Sequence, residues 1–211
     1  MITRRRLLDL TVAATFTAMA AAAAPALAQP VSVQELEQPG PLGDVTLGDK
    51  AAKAHVIEYA SLTCSHCAEF HEKTWPEFKK KYVDTGKVRF TLREFPLDPL
   101  AAAGFMLARC EGNDRYYPVT DLLFSRQKDW AYAQKPLDGL IDLLKQAGFT
   151  REKVEACLKD QKLFDAVTAV RDQGAKFGVN ATPSFFINGK LYRGALSMEE
   201  LDKALEPVLG R

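Results

Sequence analysis

The stretch HVIEYASLTCSHC, residues 55–67, constrains the fold more than any other part of the chain. Its first seven residues are mostly apolar, β-branched or aromatic, as a buried strand requires. Cys64 and Cys67 follow where a helical spacing begins, with Cys67, Phe70, Trp75, Phe78 and Tyr82 recurring on one side. A strand therefore runs into a helix at the cysteine pair. The helix is expected to kink at Pro76, which lacks a donor and crowds the preceding turn, and to end near Gly86.

The segment KVRFTLREF, 87–95, alternates and reads as a second strand, and 44–47 as a short edge strand. Residues 98–176 change character: alanine and leucine dominate, and helix-period segments are broken at Gly112, Pro118, Pro136 and Gly148. Four or five helices are expected there. SFFI (184–187), Asn188-Gly189 and KLYR (190–193) form a hairpin signal, Asn-Gly being the preferred pair for a type I′ turn. An amphipathic helix closes the chain over 197–209, with Ser197 as N-cap and Glu200 three residues on. A β-α-β unit and a β-β-α unit thus flank a helical block. Right-handed crossover makes the first two strands parallel, and the hairpin can extend the same sheet. The fold class is α/β with an inserted all-helical subdomain.

Residues 1–28 are set apart from that fold. Arg4, Arg5 and Arg6 precede an apolar run over 10–24, and Ala26-Leu27-Ala28 has the form that signal peptidase accepts. This predicts an export signal cleaved before Gln29. TRRRLL (3–8) resembles a twin-arginine signal, but Asp9 departs from it, so the export route stays open between the general secretory and twin-arginine pathways. Residues 29–43 read as a loose leader. Cleavage removes three arginines and Asp9, so the formal charge of +1 falls by two to −1. A near-neutral chain has no general electrostatic reason to bind nucleic acid or an anionic membrane. All four cysteines lie beyond the signal, in a chain bound for a compartment where disulfides persist.

Cys64-Ser65-His66-Cys67 could hold a metal, staple a loop or exchange disulfides. Zinc needs two further ligands; His71 is in reach on paper but otherwise reads as a helix-surface residue, and Cys110 and Cys157 form no second C-x-x-C. Ala68 stands where attached haem would need histidine. The strand-to-helix position favours exchange. The first turn of a helix offers free N–H groups and a positive dipole end to a thiolate at Cys64, and His66 adds a donor or a charge. Such settings lower a thiol pKa from about 8.5 into the range of roughly 3.5–7.5. A stabilised thiolate favours the reduced form, which makes the disulfide a stronger oxidant.

EYASLTCSHCAEFH (58–71), ATPSFFING (181–189) and the order β-α-β, helical block, β-β-α resemble the DsbA family of thioredoxin-fold disulfide oxidoreductases, in particular alphaproteobacterial members. The resemblance spans about residues 44–209. It implies a thioredoxin-like domain in two parts, 29–97 (with the leader) and 177–211, around a helical insertion at 98–176. It makes Cys64 the exposed nucleophile and Cys67 the resolving thiol. Thr182-Pro183 becomes a cis-proline loop beside the disulfide that pairs with substrate backbone, and Glu58 a buried acid able to take a proton from Cys67. Ser65 and Thr182 depart from the residues of well-known strong oxidants, and both positions bear on redox potential. Cys110 and Cys157 are either buried free thiols or a second, non-catalytic bridge of the kind some alphaproteobacterial relatives carry.

The expected activity is therefore periplasmic oxidation of reduced exported proteins, with reoxidation by a DsbB-like membrane protein, no cofactor beyond the Cys64–Cys67 disulfide and no metal. The short leader favours a monomer over an isomerase dimerised through a stalk. An isomerase or reductase on the same fold remains the alternative, and a periplasmic metal-binding protein a further one.

Overall fold

The computed structural model describes residues 31–210. The proposed signal at 1–28 lies outside the described residues.

Five strands form one mixed sheet: β1 (Thr46–Leu47), β2 (Ala54–Ala60), β3 (Val88–Glu94), β4 (Ser184–Ile187) and β5 (Lys190–Arg193). Their order is β1-β3-β2-β4-β5, with β2 and β3 parallel and every other pair antiparallel. All seven residues of β2 are buried, as a central strand covered on both faces requires. The register sets Glu58 opposite Leu92 on one side and Phe185 on the other. The thioredoxin-like architecture is the one expected from the order of elements.

The helices are α1 (Val33–Leu36), α2 (Ser65–Lys73), α3 (Trp75–Phe78), α4 (Pro99–Cys110), α5 (Asn113–Ser125), α6 (Gln127–Trp130), α7 (Pro136–Lys145), α8 (Arg151–Leu158), α9 (Gln161–Lys176) and α10 (Met198–Leu209). Between β3 and β4 the described chain has six helical segments rather than four or five, because Arg126 interrupts the hydrogen bonding and leaves α6 as a single turn. The helix after the cysteines breaks at Thr74, Pro76 enters near the start of α3 where a missing N–H is tolerated, and a π-helical turn follows over Lys79–Val83. Side-chain caps mark the starts of α1, α4, α8, α9 and α10. Asp98 accepts from the Ala101 N–H at 2.8 Å, and Ser197 and Glu200 form a complete capping box.

Alternation along β2 divides the core. Val56 and Ala60 belong to a large cluster with Phe70, Phe78, Phe105, Leu123, Phe185 and Leu201, while Ile57 and Tyr59 join Leu36, Phe95, Val170 and Phe186 in a smaller one. Two neighbouring residues of β3 anchor separate parts of the chain. Arg93, 1 % exposed, bonds both oxygens of Asp44, the Tyr59 hydroxyl and the Leu36 and Gln38 carbonyls. Glu94 takes a 2.6 Å hydrogen bond from Arg109 of α4.

The 29–43 leader is correspondingly not loose where it is described. Ser32 and Glu35 form a capping box around α1, Leu36 is buried, and Glu37 bonds His55 at 2.9 Å and Arg89 at 2.7 Å. The segment is too short to show a periodicity, but the Leu36 and Gln38 carbonyls both accept from Arg93 and hold it to β3.

Candidate active site

Cys64 sits in extended conformation at the N-cap of α2, and Cys67 lies one turn inside, fully buried. Both are free thiols. The cap position directs the first N–H groups of the helix toward Cys64, while the i, i+3 spacing turns Cys67 into the core beside Phe70. The Thr182–Pro183 bond is cis, and the Cys64 thiol donates to the Thr182 carbonyl at 3.3 Å. Pro183 is buried at the head of β4.

The two thiols titrate in opposite directions. The Cys64 pKa is lowered to about 5, chiefly by the hydrogen bond from the Cys67 thiol, then by Thr182 and the backbone N–H groups of Cys67 and His66, against the opposing effect of burial. Burial pushes Cys67 well above the ordinary thiol range, and the Cys64 hydrogen bond and the charge of Glu58 push the same way. Such a pair is built to release one sulfur as a thiolate and to keep the other protonated.

Glu58 is fully buried, with one carboxylate oxygen 3.0 Å from His71 Nε2 and the other without a hydrogen-bond partner among the described residues. Ser65 and His66 are exposed on the first turn of α2. Residue 66 reaches the Cys64 thiolate through its backbone N–H; its imidazole, 72 % exposed, lies 3.9 Å from Glu69. The expected support from His66 thus comes from helix geometry, because side chains at the first turn splay outward while the amides point along the axis.

Two hollows flank the motif. One, of about 820 Å³, runs between α2 and α6 past Ser65, Phe124, Arg126, Gln127 and Tyr132. The other, of about 460 Å³, passes His66, Phe70, Lys73, Thr182 and Leu196.

Two residues absent from the sequence-level site belong to it. Gln127 donates through Nε2 to the carbonyls of Leu62 (2.8 Å) and Cys64 (3.0 Å), pinning the loop that carries Cys64. His71 is buried, not a surface residue: its ring stacks on Phe124 with centroids 4.1 Å apart and binds Glu58. Helical spacing from Cys67 (i+4) was the available signal. Among the described residues, no group of three or more His, Cys, Asp or Glu side chains is arranged to hold a metal ion.

Cys110 and Cys157 are joined as a disulfide between the end of α4 and α8, with Cα atoms 5.9 Å apart. The motif adjoins the other end of α4, where Thr63 donates to Asp98.

Residues 42–207 match the family model described as Thioredoxin. The chain is 34% identical over 172 residues to a Rickettsia felis protein whose name assigns it provisionally to the protein-disulfide oxidoreductases, covering 79% of this chain and 60% of that one. It thus spans about three-fifths of the length of that curated relative. Disulfide bond formation protein D of Bacillus subtilis is 24% identical over 82% of this chain and 80% of its own. The crystal structure of alpha-DsbA1 from Wolbachia pipientis superposes with a TM-score of 0.76 at 30% identity, over 85% of this chain and 96% of that one.

Proposed function

The chain belongs to the DsbA family of thioredoxin-fold proteins, and from that premise we propose that it is a periplasmic thiol:disulfide oxidoreductase that passes its Cys64–Cys67 disulfide to exported proteins. The observation that carries this reading is the asymmetry of the pair: a half-buried Cys64 with a pKa near 5 and a buried Cys67 held protonated.

A substrate thiolate attacks Cys64 Sγ, forming a substrate–Cys64 disulfide and breaking the Cys64–Cys67 bond. Cys67 leaves as a thiolate and takes up one proton, with Glu58 as the adjacent acid. A second substrate thiol loses its proton and attacks the substrate sulfur of the mixed disulfide, and Cys64 leaves as a thiolate. Two electrons pass from the substrate dithiol to the enzyme. The leaving step is helped by the same hydrogen bonds that lower the Cys64 pKa, and each unit of depression favours the reduced enzyme by about 1.4 kcal/mol. The Thr182-Pro183 loop, already touching Cys64, presents backbone to the substrate, and Ser65 lines its approach.

Export rests on residues 1–28 and is supported by the Cys110–Cys157 bridge, which suits an oxidising compartment. No helix among the described residues is long and apolar enough to cross a membrane. Reoxidation falls to a DsbB-like membrane partner, and the protein acts as a monomer with no cofactor beyond its own disulfide. Thr182, shared with isomerases of this fold, favours the second reading, a disulfide isomerase or reductase. The reduction potential of Cys64–Cys67 against glutathione separates the two: a value near −120 mV supports oxidation, and one at or below about −270 mV sinks it.

A further inference from the structure

Cys67 must gain a proton each time the enzyme is reduced and lose it each time it is reoxidised, yet it and Glu58 are both 0 % exposed. Glu58 alone cannot complete that exchange, since it has no access to water of its own. Its one hydrogen-bonded oxygen leads to His71 Nε2 at 3.0 Å. The opposite ring nitrogen, Nδ1, is buried without a hydrogen-bond partner and lies 3.9 Å from Asp121 Oδ1. The Asp121 side chain is 50 % exposed, against 3 % for that of His71. Carboxylate, imidazole and carboxylate therefore stand in a line from the core to the surface.

We propose that His71 and Asp121 are positioning residues that carry the Cys67 proton between Glu58 and solvent, extending the disulfide-exchange reading on which this rests. On reduction of the enzyme, Asp121 takes a proton from water and gives it to His71 Nδ1. The ring releases the proton on Nε2 to Glu58, and Glu58 gives its proton to the Cys67 thiolate. Each relay group gains and loses one proton, so one proton moves from water to sulfur and no electrons move. Reoxidation runs the route in reverse. Imidazole suits this place because its two nitrogens accept on one side and donate on the other. Stacking on Phe124, with Phe70 and Trp75 at the ring's other sides, keeps the two nitrogens aimed at the two acids. The remaining ionisable groups around the line are Cys64 and Cys67 at the start of α2, Tyr117 on α5, and Lys79 in the π turn. Burial raises the Asp121 pKa, with the His71 charge opposing, which brings that acid closer to the working range of a proton acceptor.

The test is the oxidation rate of the reduced full chain by a small disulfide, followed across pH 5–8 in wild type, Asp121→Asn and His71→Gln. Both variants are expected to slow the step roughly tenfold, less than the 10²–10⁴-fold of a group that acts directly on the reacting atom, with the pH–rate curve displaced. Added imidazole or formate buffer should restore the Asp121→Asn rate while leaving wild type unchanged. Alkylation of Cys64, which needs only that thiolate, should stay as in wild type in both. If wild type exchanges disulfides but Asp121→Asn keeps its rate, pH curve and indifference to buffer, the relay is overturned alone, even where His71→Gln is slow through lost packing. If wild type exchanges no disulfides, the functional reading falls and the relay with it.

Discussion

Cys64 Sγ and the Thr182 carbonyl oxygen stand 3.3 Å apart, bringing the start of α2 against the loop that leads into β4. The partner at Thr182 changes with protonation state. The thiol donates to the carbonyl, while the thiolate gains the Thr182 hydroxyl, which has no other partner among the described residues.

Alkylation of reduced protein should therefore follow a titration with its midpoint near pH 5. Thr182→Val should move that midpoint upward by about one unit, the worth of one hydrogen bond to a charged group at roughly 1.5 kcal/mol. Stability carries the same sign. A depressed thiol pKa stabilises the folded, reduced form fully above the ordinary thiol value of about 8.5, and the effect is lost as pH falls through the folded value. Denaturation of reduced against oxidised protein should show the reduced form losing ground from about pH 8.5 down to about 5. A pH-independent difference would contradict the assigned thiolate.

Glu58→Gln should trade rate for stability. The carboxylate is fully buried and hydrogen-bonded at one oxygen only, and a neutral side chain removes the cost of burying its charge while still accepting from His71. Chemical denaturation should show the variant about 1 kcal/mol more stable, with slower exchange because Cys67 loses its proton acceptor. A destabilised but fully active variant would contradict this.

Gln127→Ala should loosen the nucleophile without touching its chemistry. Two carbonyls, of Leu62 and Cys64, lose their shared donor, which costs about 1–3 kcal/mol where they remain buried. Exchange should fall while the Cys64 titration midpoint stays near 5, read from the same alkylation curve.

Replacing both Cys110 and Cys157 by alanine should lower stability by up to about 4 kcal/mol, as chain-entropy reasoning gives for a loop of this length. Exchange at Cys64 should persist. The bridge and the motif lie toward opposite ends of the 12-residue α4, which at 1.5 Å per residue separates them by about 18 Å. Thermal melting and an exchange assay on the same sample check both halves.

The strands and the hairpin were legible because local chemistry decides them. Asn188 and Gly189 both take positive φ, as the turn signal implied, and the flanking tetrapeptides pair as read. The start of α2 was legible for the same reason. His71 was not, because a histidine on a charged helix suggests solvent, although Cys67, Phe70 and His71 share one face by spacing. The Ser32–Glu35 box carries the same signature as Ser197–Glu200, but three prolines within 29–43 and a helix of only four residues leave no periodic pattern to mark it. Gln127 had no local signal at all. Its role exists only once α6 is folded against a loop more than sixty positions earlier in sequence, at a separation of 65 from Leu62.

The pairing of β2 with β4 has a consequence for the chain while it is being made. Val56 meets Ile187, and Cys64 meets Thr182, only after the whole helical block between them has been synthesised. A ribosome lengthening the chain at about 5–20 residues per second exposes the two cysteines several seconds before their partners exist. Through that interval Cys64 lacks the Thr182 contact, and α2, whose first turn supplies the Cys67 and backbone contacts, has no finished sheet to pack against. The reactive form is born late, with nearly all of the domain already in place around it.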